Sequence, residues 1–348
     1  MSTGFFPRYS MLGASSRCRF YMYFQRWLAL EPEADIAIYH GFSDKYLQKL
    51  YQVGSVNKWV KAKEFLHMLC RGMKLPEKLI IEYELVPNLP YKYEKLLLGN
   101  RQYILNFDDN VWEKYRNTPA LSDKYDRLCM NAAGVIVANE FLYSKVKKLN
   151  SNVCLIPTVI DLDKYNAVQA EKFDVFTAAW IGTPVTYKYL ESFQEILQAV
   201  FNTPKRKLLV IADAELSNTR PLKNVNAEYV SWSEELECKY IKRCHVGIMP
   251  LLDDEFSKGK SAYKLLQYQA AGLPLIASPV GENNRVVIPG KNGFLSENKF
   301  QWQQAFDELE QNKELYDKYA SGAKEEAYNY SIQKYFAVYK EFVDKTFF

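Results

Sequence analysis

HVGIMPLLDDEFSKGKSAYKLLQYQAAGLPLIASPVGENNRVVIPGKNGFL, residues 245–295, is the stretch that decides the fold. Its apolar opening, His245 to Pro250, reads as a buried strand. An acidic loop follows, Asp253-Asp254-Glu255, and then a basic cluster, Lys258-Gly259-Lys260. Ser261 is placed to cap the next helix, Gly272 to end it and Pro274 to forbid its continuation. A second buried strand, Leu273 to Ser278, leads through Pro279-Val280-Gly281 into Glu282-Asn283-Asn284. Strand, loop, helix, strand, loop is the grammar of a parallel α/β sheet. Ligands of such sheets bind beyond the carboxyl ends of the strands, and both polar loops fall there.

Lys260, Lys264 and Gln267 are spaced by four and three residues, so a helix carries them on one face. Leu265, Leu266 and Ala270 can then pack on the sheet. Two ammonium groups near a helix start, beside free backbone N–H groups, suit a diphosphate. One turn on, the Gln267 amide both donates and accepts, which suits a neutral polyol such as ribose. The same spacing also fits a solvated basic helix face.

The run GK-SAY-K-LLQYQAAGLPLIASPVG resembles the nucleotide-sugar motif of GT-B glycosyltransferases. Within them it resembles the large retaining family 4 (group 1), and a bacterial subgroup with GK-x3-K-LLQYMA-x-G-x-P-VVASPVG and an nGF element. The resemblance implies an α/β GT-B fold: two Rossmann-like domains facing across a cleft, with a C-terminal helix crossing back to the first. It puts Lys260 and Lys264 on the donor diphosphate as catalytic cations and Gln267 beside the ribose. It puts Gly281, Asn283 and Asn284, with the backbone N–H groups after Gly281, on the donor sugar. The chain departs from the family at one point. Most of family 4 has two glutamates eight apart, where this sequence has Gly259 and Gln267.

With 348 residues, 48% hydrophobic and 25% charged, the chain has the composition of a globular protein large enough for two α/β domains. The net charge of +4 makes no case for nucleic acid but permits an anionic membrane surface. Aromatics reach 15%, with 26 Tyr, suiting large cores, sugar stacking or a membrane interface alike. The six cysteines form no C-x-x-C pair and read as reduced thiols of a cytoplasmic protein. With three histidines and no ligand spacing, no metal and no cofactor is expected. The N-terminus MSTGFFPRYS does not read as a signal peptide, and no run of 18 apolar residues exists.

In chain order, residues 2–9 read as a first strand. The small-residue loop Met11 to Ser16 opens a helix, and Gly13, Ser15, Ser16 and Arg17 are candidates for an anion. An ordinary capped turn fits the same residues. The subgroup's G-x-S-S-R-x-R start favours Gly13 and Arg17 as donor-binding. Ala34 to Tyr39 is a second strand. A helix over 44–75 carries Trp59, Phe65, Leu66 and Leu69 among Lys58, Lys61, Lys63, Arg71 and Lys74, which suits either a membrane surface or a plain surface helix. Leu79 to Val86 is a strand with Glu82 and Glu84 on one side. Tyr103 to Phe107 delivers Asp108-Asp109-Asn110 to its carboxyl end. Asp108, Asp109 and Glu84 are the acceptor-binding candidates, Asp108 and Asp109 also catalytic, and helix capping or turn chemistry is their alternative. Gly134 to Asn139 and Val153 to Pro157 are further strands.

The polar stretch 161–172 reads as a boundary, giving domains 1–160 and 173–327 and a terminal helix 328–348. The second domain opens with Phe173 to Ile181 and a phosphate-sized loop, where Gly182 and Thr183 outrank Lys188 and Thr186 is placed to cap a helix. The expected function is transfer of a sugar from a nucleotide-sugar donor to a hydroxyl of a glycan or lipid-linked glycan, with retention, in bacterial surface polysaccharide assembly. The setting is the cytoplasm, with peripheral contact at the inner face of the membrane. The leading rival, motivated by Gly259 and Gln267, is a non-catalytic GT-B subunit that binds a partner glycosyltransferase or glycan.

Overall fold

The computed structural model describes residues 2–53, 56–72 and 75–348. It divides into two compact units. The first comprises Met1–Val159, Lys258–Ser261 and Lys334–Phe348, the second Ile160–Ser257 and Ala262–Gln333.

The first unit is built on six parallel strands: β1 (Thr3–Phe6), β2 (Ile36–Ile38), β3 (Lys78–Glu82), β4 (Gln102–Phe107), β5 (Gly134–Val137) and β6 (Val153–Leu155). Their order is β2-β1-β3-β4-β5-β6. The inner strands are near-continuous apolar runs, such as Leu79-Ile80-Ile81 and Val135-Ile136-Val137, because helices cover both faces of the sheet. After β1 the chain enters a helix that winds through a π turn, Arg17–Tyr21, into Met22–Leu30. The last helix, Ile332–Phe347, contributes its residues from Lys334 onward to this unit. There Tyr339 stacks on Tyr23 with centroids 4.1 Å apart, and Phe336 meets Trp27 edge-on. The single helix expected over 44–75 is two, Asp44–Val53 and Lys58–Gly72. Lys74 lies outside the described residues.

The second unit repeats the plan with β7 (Phe176–Ile181), β8 (Arg206–Ala212), β9 (Ala227–Ser231), β10 (Val246–Met249), β11 (Leu275–Ala277) and β12 (Gly293–Leu295). Their order is β12-β11-β10-β7-β8-β9. The helix Tyr263–Ala270 ends as expected, with Gly272 at φ +71 just past it. Its start differs from expectation. Ala262, at φ +53, occupies the cap position, and no side chain caps the helix, so Ser261 lies one residue too early to do so. Gly247 has a steric reason: any Cβ there would collide with the ring of Tyr268, which crosses β10 at this point. The Tyr268 hydroxyl accepts the N–H of Ile181 at 3.0 Å and so ties the helix to the end of β7.

Candidate functional site

Where the strand order of a parallel sheet reverses, the carboxyl ends of the two reversing strands frame the usual ligand position. Those strands are β1 and β3 in the first unit and β7 and β10 in the second.

In the second unit, Gly182 follows β7 and donates its N–H to Ile211 O at 3.0 Å. A Cβ on Gly182 would collide with the Trp180 ring and lie 2.8 Å from Thr186 Oγ1. Thr186 does not cap the next helix. Its hydroxyl accepts the N–H of Thr183 at 2.9 Å and closes the turn instead. Lys264 holds its Nζ 5.5 Å from the centroid of the Trp180 ring. Trp180 therefore joins Gly182, Thr183 and Lys264 at one edge. In sequence a tryptophan within a buried strand looks like core, so no local signal marks Trp180. Lys188 is exposed beside Tyr189.

The residues after β11 are placed differently from expectation. Asn283 is buried, and its Nδ2 donates to Ser278 O at 3.0 Å and Met249 O at 3.5 Å, clasping the ends of β11 and β10. The N–H groups of Asn283 and Asn284 return to Val280 O and Gly281 O, each at 3.2 Å, and close a turn. Gly281 takes φ +55 to make that turn, and Asn284 is exposed.

Gln267 is buried, and its Nε2 donates to Glu237 Oε2 at 3.5 Å. The same carboxylate accepts Trp232 Nε1 at 2.7 Å and pairs with Lys164 at 2.8 Å. This cluster holds the amide that the sequence assigned to ribose.

The segment Lys258–Ser261 belongs to the first unit. Asn139 donates Nδ2 to Gly259 O at 2.9 Å while its Oδ1 caps the helix Glu140–Val146. A Cβ at position 259 would collide with the Asn110 side chain and lie 2.9 Å from its backbone nitrogen. Steric exclusion thus accounts for glycine where the family pattern has glutamate. Lys260 is half-buried beside it.

At the β1–β3 edge, Gly13 packs against Tyr9 and leaves no room for a Cβ. Arg17 is buried, with Nη1 donating to Met11 O at 2.9 Å. Glu84, expected at an acceptor, is the hub of a buried network instead. It pairs with Lys124 at 2.6 Å, Lys114 at 3.2 Å and Arg8 at 3.5 Å, and accepts the hydroxyls of Tyr115 and Tyr125 at 3.0 Å. Burial alone would raise its pKa, but these cations outweigh it and hold Glu84 at about 2. Lys124 also pairs with Glu94 at 2.7 Å. Asp108 is buried and accepts the Tyr83 hydroxyl, and Asp109 is half-buried. Glu82, which the sequence left without a role, ends β3 and is buried. Among the described residues, no three His, Cys, Asp or Glu side chains are grouped to hold a metal ion. No described helix is long and apolar enough to cross a membrane.

Residues 175–312 match the family model described as Glycosyl transferases group 1. No curated protein matches the chain by sequence. Among solved structures, Anabaena Alr3699/HepE in complex with UDP and glucose is similar at a TM-score of 0.71 and 11% identity, covering 99% of this chain and 100% of that one. Sucrose-phosphate synthase from Thermosynechococcus elongatus is similar at 0.70 and 12%, over 100% and 99%. WaaG, a glycosyltransferase involved in lipopolysaccharide biosynthesis, is similar at 0.68 and 13%, over 97% and 99%. The fold is thus α/β, with the two Rossmann-like sheets of the GT-B class. The matched residues 175–312 take in strands β7 to β12 of the second unit.

Proposed function

We propose that the protein moves a sugar from a nucleotide-sugar donor to an acceptor hydroxyl, with retention, in the manner of the family 4 enzymes. The observation that carries this reading is the β7–β10 edge, where the Gly182-Thr183 loop and the ammonium group of Lys264 meet at Trp180 within the matched segment. As the glycosidic bond breaks, the departing diphosphate gains negative charge. A cation held there by packing therefore lowers the transition state more than the ground state. Gly13, Arg17 and Lys260, which the first unit carries, are the further donor residues of this reading. Asp108 and Asp109 are its acceptor residues.

Assembly of a bacterial surface polysaccharide, from glycan or lipid-linked glycan acceptors, is the proposed setting. The likeness to WaaG, itself involved in lipopolysaccharide biosynthesis, supports it by analogy of fold. Helix Lys58–Gly72 turns Trp59 and Leu66 outward, 84% and 60% exposed, among Lys58, Lys61 and Lys63. That face supports reversible contact with an anionic bilayer at the inner side of the membrane.

A panel of nucleotide sugars, with release of nucleoside diphosphate as the readout, tests the activity. Slow hydrolysis of one donor supports transfer. The engagement of Gln267 by Glu237 favours a second reading, the non-catalytic subunit. Silence with every donor, together with capture of a partner glycosyltransferase or a glycan, would establish it instead.

A further inference from the structure

The loop after β1 is closed at both ends by one oxygen atom. Glu82 Oε2 accepts the backbone N–H of Arg8 at 2.6 Å and the hydroxyl of Ser16 at 2.5 Å. Ser16 Oγ in turn accepts the N–H of Tyr9 at 3.0 Å. Between these ends lie Gly13 and Met11, the latter held by Arg17. Glu82 sits at the carboxyl end of β3, beside β1, at the switch point of the sheet. The next residue, Tyr83, takes φ +62, a left-handed conformation that is costly for an aromatic side chain. Its hydroxyl is bound by Asp108. Strain of this kind persists where surrounding contacts over-determine a position.

We infer that Glu82 is a positioning residue that sets the shape and stiffness of the loop Arg8–Ser16, and that its charge state tunes how firmly the loop is held. This inference rests on the reading of that loop as part of the donor site. Glu82 faces Arg8 and Ser16 from the loop, Asp108 from the end of β4, Tyr83 next to it in the chain, and Asn106, its partner in register. The Asn106 amide oxygen accepts Arg19 Nε at 2.8 Å. Burial, and then Asp108, push the Glu82 carboxyl up to about 7, against the lowering effect of Ser16 and Arg8. Near neutral pH the carboxyl therefore changes charge. When ionised, Oε2 makes two charge-assisted bonds, roughly twice as strong as neutral ones. When protonated, with the proton on the otherwise unpartnered Oε1, the same oxygen holds the loop more weakly.

Hydrogen exchange of residues 8–16 in the free protein at pH 6 and pH 8, corrected for intrinsic rates, reads the clamp directly. UDP affinity by calorimetry at both values reads its consequence. Wild-type loop opening should be on the order of 3–10-fold greater at pH 6 than at pH 8, with UDP weakened in proportion. Glu82→Gln keeps an oxygen acceptor but cannot titrate, so loop and affinity should become indifferent to pH over this range. A role in packing alone would leave the wild-type and Glu82→Gln profiles parallel, and that outcome overturns the inference. Should Glu82→Gln fail to fold, Ser16→Ala decides. It removes one bond to the ionised form, so the pH midpoint of loop opening must move upward, and an unmoved midpoint refutes the clamp. If UDP binds nowhere while the loop behaves as stated, the donor reading falls and the clamp stands. If UDP binds and the loop ignores pH, the reverse holds.

Discussion

The two switch points share a topology and differ in what fills them. At the β1–β3 edge, acids and bases are packed together out of solvent, with Glu82, Glu84, Glu94, Asp108 and Lys124 all buried. At the β7–β10 edge Gly182, Thr183, Trp180 and Lys264 come together. Opposite charges in the first unit hold each other in buried ion pairs. In the second unit an aromatic face lies against a cation. One scaffold thus carries two kinds of edge, one tied by internal ion pairs and one where a cation lies against an aromatic face.

The largest expected effect breaks the first network. Lys124→Ala leaves Glu84 and Glu94 buried without their shared cation, so stability should fall by about 3–5 kcal/mol. Urea unfolding measures this, and an unshifted midpoint would show that the network contributes nothing.

Lys264→Ala is the matching change in the second unit. It should lower kcat and kcat/KM together by roughly 2–3 kcal/mol, with stability changed by about 1 kcal/mol or less. A folding defect with intact kinetics would make Lys264 another packing residue and erase the contrast.

Gly259→Ala should cost about 1–3 kcal/mol in thermal or urea unfolding, because its Cβ meets Asn110 side chain and backbone. A neutral result would mean that the segment shifts freely and that glycine there has no steric cause.

A pH titration of stability separates the two glutamates. The folded value of Glu84, about 2, lies below its ordinary value of 4.5, so its contribution is present above the ordinary value and lost as pH falls toward 2. For Glu82 the sign in global unfolding is the reverse of that in loop opening, because unfolding relieves the burial of the carboxyl whereas loop opening removes only its two bonds. The folded value, about 7, lies above 4.5, so this contribution is present below the ordinary value and lost as pH rises through 7. Between pH 5 and pH 8 the wild type should lose about 2–3 kcal/mol that Glu82→Gln does not lose. Equal slopes in the two proteins would remove Glu82 as the cause.

Trp59→Ala is expected to have the smallest effect on folding, within about 0.5 kcal/mol, since the side chain is 84% exposed. Co-sedimentation with anionic vesicles should nonetheless drop severalfold. Unchanged partitioning would separate this helix from any membrane role.

The candidates at the β7–β10 edge were legible because they follow local rules. Lys264 lies on a helix whose end Gly272 announces, and Gly182 and Thr183 directly follow an apolar run. Trp180 and Tyr268 were not legible as site residues. Their importance depends on β7 lying beside β10, and the bond from Ile181 to Tyr268 joins positions 87 residues apart. The two glutamates of β3 show the limit more sharply. Alternation along a strand puts Glu82 and Glu84 on one side, which made Glu84 a candidate. Regular strand stops at Glu82, and Tyr83 at φ +62 ends the alternation. Glu84 consequently turns into the Lys124 network, leaving Glu82 at the edge.

By itself, the sequence determined the class of the fold and the places where loops leave the sheets. Apolar runs, helix periodicity and chain-breaking residues act over a few neighbours, and the order of residues encodes them directly. Only the tertiary structure decided which strands adjoin, which charges are buried against one another and which amides are already engaged. Gln267 and Asn283 look like ligand-binding amides in a linear reading. Glu237 in one case and the strand ends in the other show where their hydrogen bonds go. Hydrogen bonding and desolvation depend on distance in space, and residues far apart in the chain supply the partners that settle them.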